Sequence, residues 1–556
     1  MGGITRETLL SVDNGCAQKK TLKNSGRLKN TPVNETATIT GNMVRTAGDK
    51  RDLNAETDAG PEIKIIKSYM IDAQCEARIT LDQGTGRHSY VLIEPGLTKE
   101  ERGLYSDIVK ELHKKPKSEL AVMKKVGGRE RIRQKFDRLC GEKHVSGNLK
   151  EKMRYYIERD FWGYKKIDAL LKDKNVEDVS CNGYSRPVYV YVPGFESIPT
   201  NVIFDSEEEL DDFAMYLVQK GGKSISAANP IQDVALPDGS RLNGTIYREV
   251  SSNGTTFSIR AAGRAKGAAE LLRRRTFTPS CLAYLWLAME NGCSMAFIGG
   301  TASGKTAALN AVSSLITERN KIVTIEDTRE VRLSSQNWTP LVIRENSESP
   351  ITEFDLLVAA FRQRPEYVIV GEVRTPEGAR AAIHGINSGH TVLMTFHADS
   401  TVSFINRLTN EPFNISPHTA SSLSLCINLA MVSIPSGDDE VKVRRCRSIS
   451  EIRGVNSDGA LDIHQVFQWD PASDEITMTP GRSVVLERIG EERGWSEDRI
   501  IEEIRNRTAI IRWIGENSVS DEDRIRKIVS AFNADRADLL RTLKVTFGAH
   551  ERMCGS

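Results

Sequence analysis

One stretch limits the fold of this chain more than any other: FIGGTASGKTAAL, residues 297–309. Apolar residues lead into it, glycines crowd Lys305 and Thr306, and the helix-forming run KTAALNAVSSLI follows. A strand, a tight turn and a helix in that order make a crossover unit, which needs a sheet with helices packed against it. Residues 299–306, Gly299-Gly300-Thr301-Ala302-Ser303-Gly304-Lys305-Thr306, fit the pattern G-x-x-x-x-G-K-[ST] in full. Gly300 and Gly304 let the backbone curl so that successive N–H groups converge on an anion. The helix N-terminus behind them adds a favourable dipole. In such a loop Lys305 reaches the β- and γ-phosphates of a nucleotide and Thr306 holds Mg2+. A plain turn between strand and helix has no need of a lysine there.

The chain has 556 residues, too many for one comfortable core, so two or three domains are expected. Its 39% hydrophobic and 27% charged residues suit a globular protein, and a net charge of +1 singles out no partner. No run of about 18 apolar residues reads as a membrane span. The first residues lack a signal-peptide core, and Arg6 stands where a myristoylation signal wants Ser or Thr. The nine cysteines are scattered with no C-x-x-C pair, which argues for free thiols and against a disulfide framework or a structural zinc site.

Residues 1–60 contain no Phe, Trp or Tyr and predict a disordered leader. Residues 61–262 predict a smaller mixed α/β domain. Within it, 98–160 is helical and basic, and residues 110–159 hold 16 Lys or Arg against 7 Asp or Glu. Contact with anionic lipid is one use for such a stretch; a plain solvated face is the other. Aromatics are too few there for nucleic-acid binding to be expected. VALPDGSRLNGTIY reads as a hairpin turning at Asp238-Gly239. The small and basic residues of 263–276 predict an interdomain linker. From 277 to 556, β and α patterns alternate, predicting a mainly parallel sheet with crossover helices and a helical C-terminal tail.

Three further apolar runs in this region end in polar residues. KIVTIEDTRE gives Glu326 and Asp327, EYVIVGEVR gives Glu372, and GHTVLMTFHADS gives His397. Ligands of open parallel sheets sit beyond the carboxyl ends of the strands, so these groups should gather near Lys305. One carboxylate could orient an attacking water and another support Mg2+.

The second strand departs from the usual pattern, since Gly371 and Glu372 stand where an aspartate is common. That Walker B run, with TIEDTRE before it and SGHTVLMTFHA after it, resembles the type II/IV secretion system ATPase superfamily, most closely its archaeal-type members. These are hexameric motors of secretion, type IV pili, conjugation and the archaellum. The resemblance spans about residues 85–515 and implies a RecA-like P-loop NTPase domain behind the smaller N-terminal one. It implies ATP and Mg2+ as cofactors, with Glu326 positioning water, Glu372 at the Mg2+ site, and His390 and His397 sensing the γ-phosphate region. It also implies that Arg241 and Arg260 serve the nucleotide of a neighbouring subunit; Arg362 and Arg364 are weaker candidates. A homo-hexamer on a polytopic membrane platform protein would follow, at the inner face of the cell membrane, driving a pilin-like filament or export machinery. The family's tetracysteine zinc module is absent, as is a close match to the signature of retraction motors. A RecA-like nucleic-acid translocase is the alternative, and a non-catalytic nucleotide-binding scaffold a third reading.

Overall fold

A computed structural model of the chain describes residues 63–113, 128–261, 267–344, 349–436, 439–519 and 521–543. They form two compact units, one ending before and one starting after residues 262–266. The leader expected over 1–60 lies outside the described residues.

The first unit is built on a nine-stranded sheet. Its strands are β1 (Ile63–Met70), β2 (Glu76–Asp82), β3 (Arg87–Ile93), β4 (Asp178–Cys181), β5 (Pro187–Val192), β6 (Glu196–Ile203), β7 (Ile231–Ala235), β8 (Arg241–Thr245) and β9 (Thr256–Arg260). They lie in the order β1-β2-β3-β6-β5-β4-β9-β8-β7. All pairs are antiparallel except β3 with β6. PVYVYV alternates half-buried and buried residues, as a strand with one covered face should. The β7–β8 hairpin turns at Asp238-Gly239, where Gly239 takes φ 90°. Between β3 and β4 come α1 (Lys99–His113), α2 (Gly128–Glu142) and α3 (Gly147–Phe161), which close a small core of their own around Ile108, Phe136 and Met153. The helix α4 (Glu207–Lys220) starts at a Ser206 cap, carries three glutamates in its first turn and buries Phe213, Leu217 and Val218.

The second unit holds another nine-stranded sheet, of β10 (Met295–Ile298), β11 (Ile322–Glu326), β12 (Trp338–Val342), β13 (Tyr367–Val373), β14 (Thr391–Phe396), β15 (Leu425–Ser436), β16 (Asp439–Val455), β17 (Leu461–Asp470) and β18 (Glu475–Met478). The order is β12-β11-β13-β14-β10-β15-β16-β17-β18. The six strands from β12 to β15 run parallel, and β15 to β18 form an antiparallel meander. MAFI and IVTIE are buried at every residue, because helices cover both faces. Met295 and Phe297 enter one core, Ala296 and Ile298 the other, by the two-residue period of a strand.

The segment 263–276, expected as a linker, carries the helix α5 (Ala268–Arg273). Ala268, Ala269 and Leu271 are buried in the same core as Trp286, so this helix belongs to the second unit. Small residues that suggest a flexible tether also allow close packing. Next comes α6 (Pro279–Glu290), capped by Thr278 and buried from Ser280 to Met289. Further along are α7 (Lys305–Ser313), α8 (Glu353–Phe361), α9 (Pro376–Asn387) and α10 (Glu497–Glu516). Arg507 of α10 pairs with Glu503 and with Glu290 of α6, closing a buried ionic network. Among the described residues no helix is long and apolar enough to cross a membrane.

Candidate nucleotide site

The loop 299–304 leaves the carboxyl end of β10 and enters α7. Ala302 takes φ 60° and Gly304 φ 96°, left-handed values that a loop curling around an anion uses. At Gly299 a Cβ would lie 2.2 Å from the Leu429 carbonyl oxygen and 2.4 Å from Ser303 Oγ, so β15 and the loop itself permit only glycine. Ser303 Oγ donates to the Gly300 carbonyl (2.9 Å). Lys305 Nζ donates to the carbonyls of Gly299 and Gly300, both at 2.9 Å. The ammonium therefore already lies inside the curl of the loop, where phosphate oxygens can replace carbonyl oxygens as its partners.

Register brings the neighbouring strand ends level. Ile325, Val370, Met394 and Ala296 align across β11, β13, β14 and β10. One residue further stand Glu326, Gly371, Thr395 and Phe297. His397 follows β14 and puts Nε2 3.4 Å from the Thr301 hydroxyl, directly on the phosphate loop. Glu326, Glu372 and His397 thus share one sheet edge with Lys305. From β11 to β10 there are three strand spacings, about 14 Å between backbones, so a ligand joining Lys305 to Glu326 must run along that edge.

Glu326 is 2% exposed. Its Oε1 accepts the N–H groups of Glu330 (2.9 Å) and Val331 (2.8 Å). Its Oε2 is buried and has no hydrogen-bond partner among the described residues. Burial pushes the carboxyl up to about 7, and the two backbone N–H bonds hold it down only in part. A carboxylate with one oxygen tied, one oxygen open and a pKa near neutrality is suited to take a proton from water.

Glu372 pairs with Arg374 (2.7 Å), which also reaches Asp327 at 3.1 Å. The missing aspartate of the Walker B strand has a steric reason. A Cβ on Gly371 would meet Glu326 Cγ at 2.9 Å, so any larger side chain would displace Glu326. Gly371→Ala is expected to lower turnover at least tenfold while nucleotide affinity stays within twofold, because overpacking of about 1–3 kcal/mol falls on Glu326 and not on the loop. Phosphate release and binding of a fluorescent nucleotide measure the two separately.

His390 does not join this edge. It precedes β14, whose six residues span about 20 Å, so it lies at the end of the strand opposite His397. There its ring packs 4.8 Å from Phe361, and the residue is a core contact of α8. Arg362 and Arg364 likewise precede β13 and sit at its amino end. Arg241 and Arg260 are direct cross-strand partners on β8 and β9 of the first unit, with Arg260 3.5 Å from Asp178.

The family model described as "Type II/IV secretion system protein" matches residues 167–511. The chain belongs to this family. An uncharacterised protein of Methanocaldococcus jannaschii is 35% identical over 415 residues, covering 73% of this chain and 74% of that one. The type IV secretion system protein VirB11 of Bartonella henselae is 24% identical over 280 residues, 44% of this chain and 78% of its own. The solved structure of the pilus retraction motor PilT with bound ADP matches at 16% identity and TM-score 0.37, over 62% of this chain and 91% of that one.

Two residues of this secretion-family chain at the site went unnoticed in the sequence. Arg444 of β16 donates Nε to the Ala302 carbonyl (2.8 Å) and so braces the phosphate loop from the antiparallel meander. Asp399 comes within 3.2 Å of a Cβ built on Gly300. Only Asp399 had a usable signal, two residues beyond His397; Arg444 lies 140 residues from Gly304 and carries no motif. Among the described residues no three His, Cys, Asp or Glu side chains cluster as a metal site. A Mg2+ ion at Thr306 and Glu372 would accordingly share its coordination with phosphate oxygens and water, which is its usual preference.

Proposed function

We propose that this chain is an ATP-hydrolysing motor of a type II/IV secretion or pilus-like filament system. The single observation that carries the reading is the shared sheet edge, where the phosphate loop, Glu326, Glu372 and His397 end adjacent or near-adjacent parallel strands. Lys305 and the backbone N–H groups of 300–306 bind the phosphates. Thr306 and Glu372 hold Mg2+, which when bound neutralises charge on the β- and γ-phosphates. Glu326 orients a water for attack on the γ-phosphate and takes its proton through Oε2. His397, beside Thr301, reads whether the γ-phosphate is present. Arg241 and Arg260 complete the site of a neighbouring subunit in a homo-hexamer. The ring acts at the cytoplasmic face of the cell membrane on a polytopic platform protein, which adds pilin-like subunits or drives export. His390 has no part in this scheme.

The test is ATP turnover by the full chain, alone, with single-stranded DNA and with vesicles of anionic lipid. Vesicles are expected to stimulate and DNA to have no effect; stimulation by DNA alone would point to a nucleic-acid translocase. Lys305→Ala, run alongside, is expected to weaken nucleotide binding about 10- to 100-fold through loss of charge-assisted bonds. Undiminished binding would remove the loop from the site.

A further inference from the structure

Asn310 lies in the second turn of α7, five residues beyond Lys305, and is 4% exposed. A buried amide needs partners for both its ends. Asn310 Nδ2 donates to the Glu330 carbonyl (3.1 Å), and Oδ1 accepts the Arg332 N–H (3.3 Å). Only this orientation of the amide matches a carbonyl with a donor and an N–H with an acceptor. Between the two contacts stands Val331, itself buried, whose N–H donates to Glu326. The Glu330 N–H does the same. Over residues 330–332, four main-chain polar groups are therefore divided between two side chains. Two N–H groups face Glu326, while one carbonyl and one N–H face Asn310.

The phosphate-loop helix thus grips the backbone that orients the carboxylate. Asp, Ser or Leu at 310 could fill part of the space, but only an amide supplies donor and acceptor together at that reach. We infer that Asn310 is a positioning residue for ATP hydrolysis, fixing residues 330–332 so that Glu326 points Oε2 at the attacking water. The inference rests on the water-orienting role proposed for Glu326. It also links α7 to Glu326 directly: two hydrogen bonds join Asn310 to Glu330 and Arg332, and two more join Glu330 and Val331 to Glu326.

Asn310→Ala and Asn310→Asp test it, the second keeping the acceptor for Arg332 while losing the donor to Glu330. For both, kcat is expected to fall about 10- to 100-fold, as for other residues that orient a reacting group. The dissociation constant of a fluorescent ATP analogue should stay within twofold. The pH profile supplies the readout that simple packing would not move. The N–H bonds of Glu330 and Val331 hold the Glu326 carboxyl down. Of the charged groups around it, Arg329 lowers it and Glu330 raises it, while Glu372 and Asp327 across the edge are paired with Arg374. Loosening the N–H bonds lets the carboxyl rise, so the acid limb of kcat should move to higher pH. An unchanged kcat, or a lower kcat with an unmoved acid limb, overturns the inference. Asn310→Asp, nearly isosteric, gives the same reading if Asn310→Ala does not fold. Glu326→Gln in parallel separates the two claims. If it keeps turning over, the role of Glu326 fails; if it is inactive while both Asn310 variants behave as wild type, only the role of Asn310 fails.

Discussion

Glu326→Gln is expected to keep nucleotide binding and lose turnover by about two to four orders of magnitude, the usual contribution of a positioned base. Gln can still accept the N–H groups of Glu330 and Val331 through its carbonyl, so the loop stays in place and only the proton acceptor is lost. Phosphate release from the full chain measures the first quantity and analogue binding the second. Turnover within tenfold of wild type would remove Glu326 from the base role. In the wild type, turnover should rise as the carboxyl ionises. Burial places that ionisation near pH 7 in the nucleotide-free protein.

The same carboxyl makes a stability prediction of definite sign. Its folded pKa, about 7, lies above the 4.5 of a free glutamate. The protonated form is favoured in the fold, so its stabilising contribution is complete below pH 4.5 and is lost as pH rises through 7. At about 1.4 kcal/mol per pH unit, the buried charge costs about 3 kcal/mol at pH 8. Glu326→Gln should therefore melt above the wild type at pH 8 and near it at pH 5. A thermal shift that is the same at both pH values would contradict the buried ionisation.

Arg241→Ala with Arg260→Ala is expected to lower turnover by about 10³- to 10⁵-fold, the effect of arginines that neutralise charge on a transferring phosphoryl group. Arg241 and Arg260 are direct cross-strand partners on β8 and β9, and like charges in such positions disfavour strand pairing by about 0.2–1 kcal/mol. Asp178 lies 3.5 Å from Arg260. Whether the two arginines serve their own subunit or the next is decided by mixing. The double arginine variant keeps Glu326, and the Glu326→Gln variant keeps both arginines. If the arginines act on a neighbour, an equal mixture of the two inactive proteins regains turnover at about a quarter of its sites, the random share in a head-to-tail ring. Two inactive variants that stay inactive when mixed would confine the arginines to their own subunit or to structure.

The core of the second unit was readable because its signals are local. MAFI is an unbroken apolar run, IVTIE and TVLMTF are mainly apolar, and each is a buried parallel strand. The glycine spacing around Lys305 states its own geometry, since Gly304 has to take a positive φ. Where the reading failed, distance along a strand or across the chain was the reason. His390 and His397 stand in one short motif, yet an extended chain of six residues carries them to opposite ends of the sheet. The helix of 268–273 was hidden because alanine and glycine serve tethers and tight packing alike. The meander β15–β18 was missed because antiparallel pairing depends on partners elsewhere, not on the period of each strand.

From its residues alone the chain commits to a phosphate-binding strand–loop–helix, to acidic and imidazole groups at strand ends, and to two α/β units. Steric rules and hydrophobic periodicity act over a few residues and need no partner to be legible. Which strands neighbour one another, why residue 371 has to be glycine, and how Asn310 reaches the backbone behind Glu326 were settled only by the tertiary structure. The contacts of Asn310 and Gly371 join positions 20 to 45 residues apart, and no local preference encodes the distance between them.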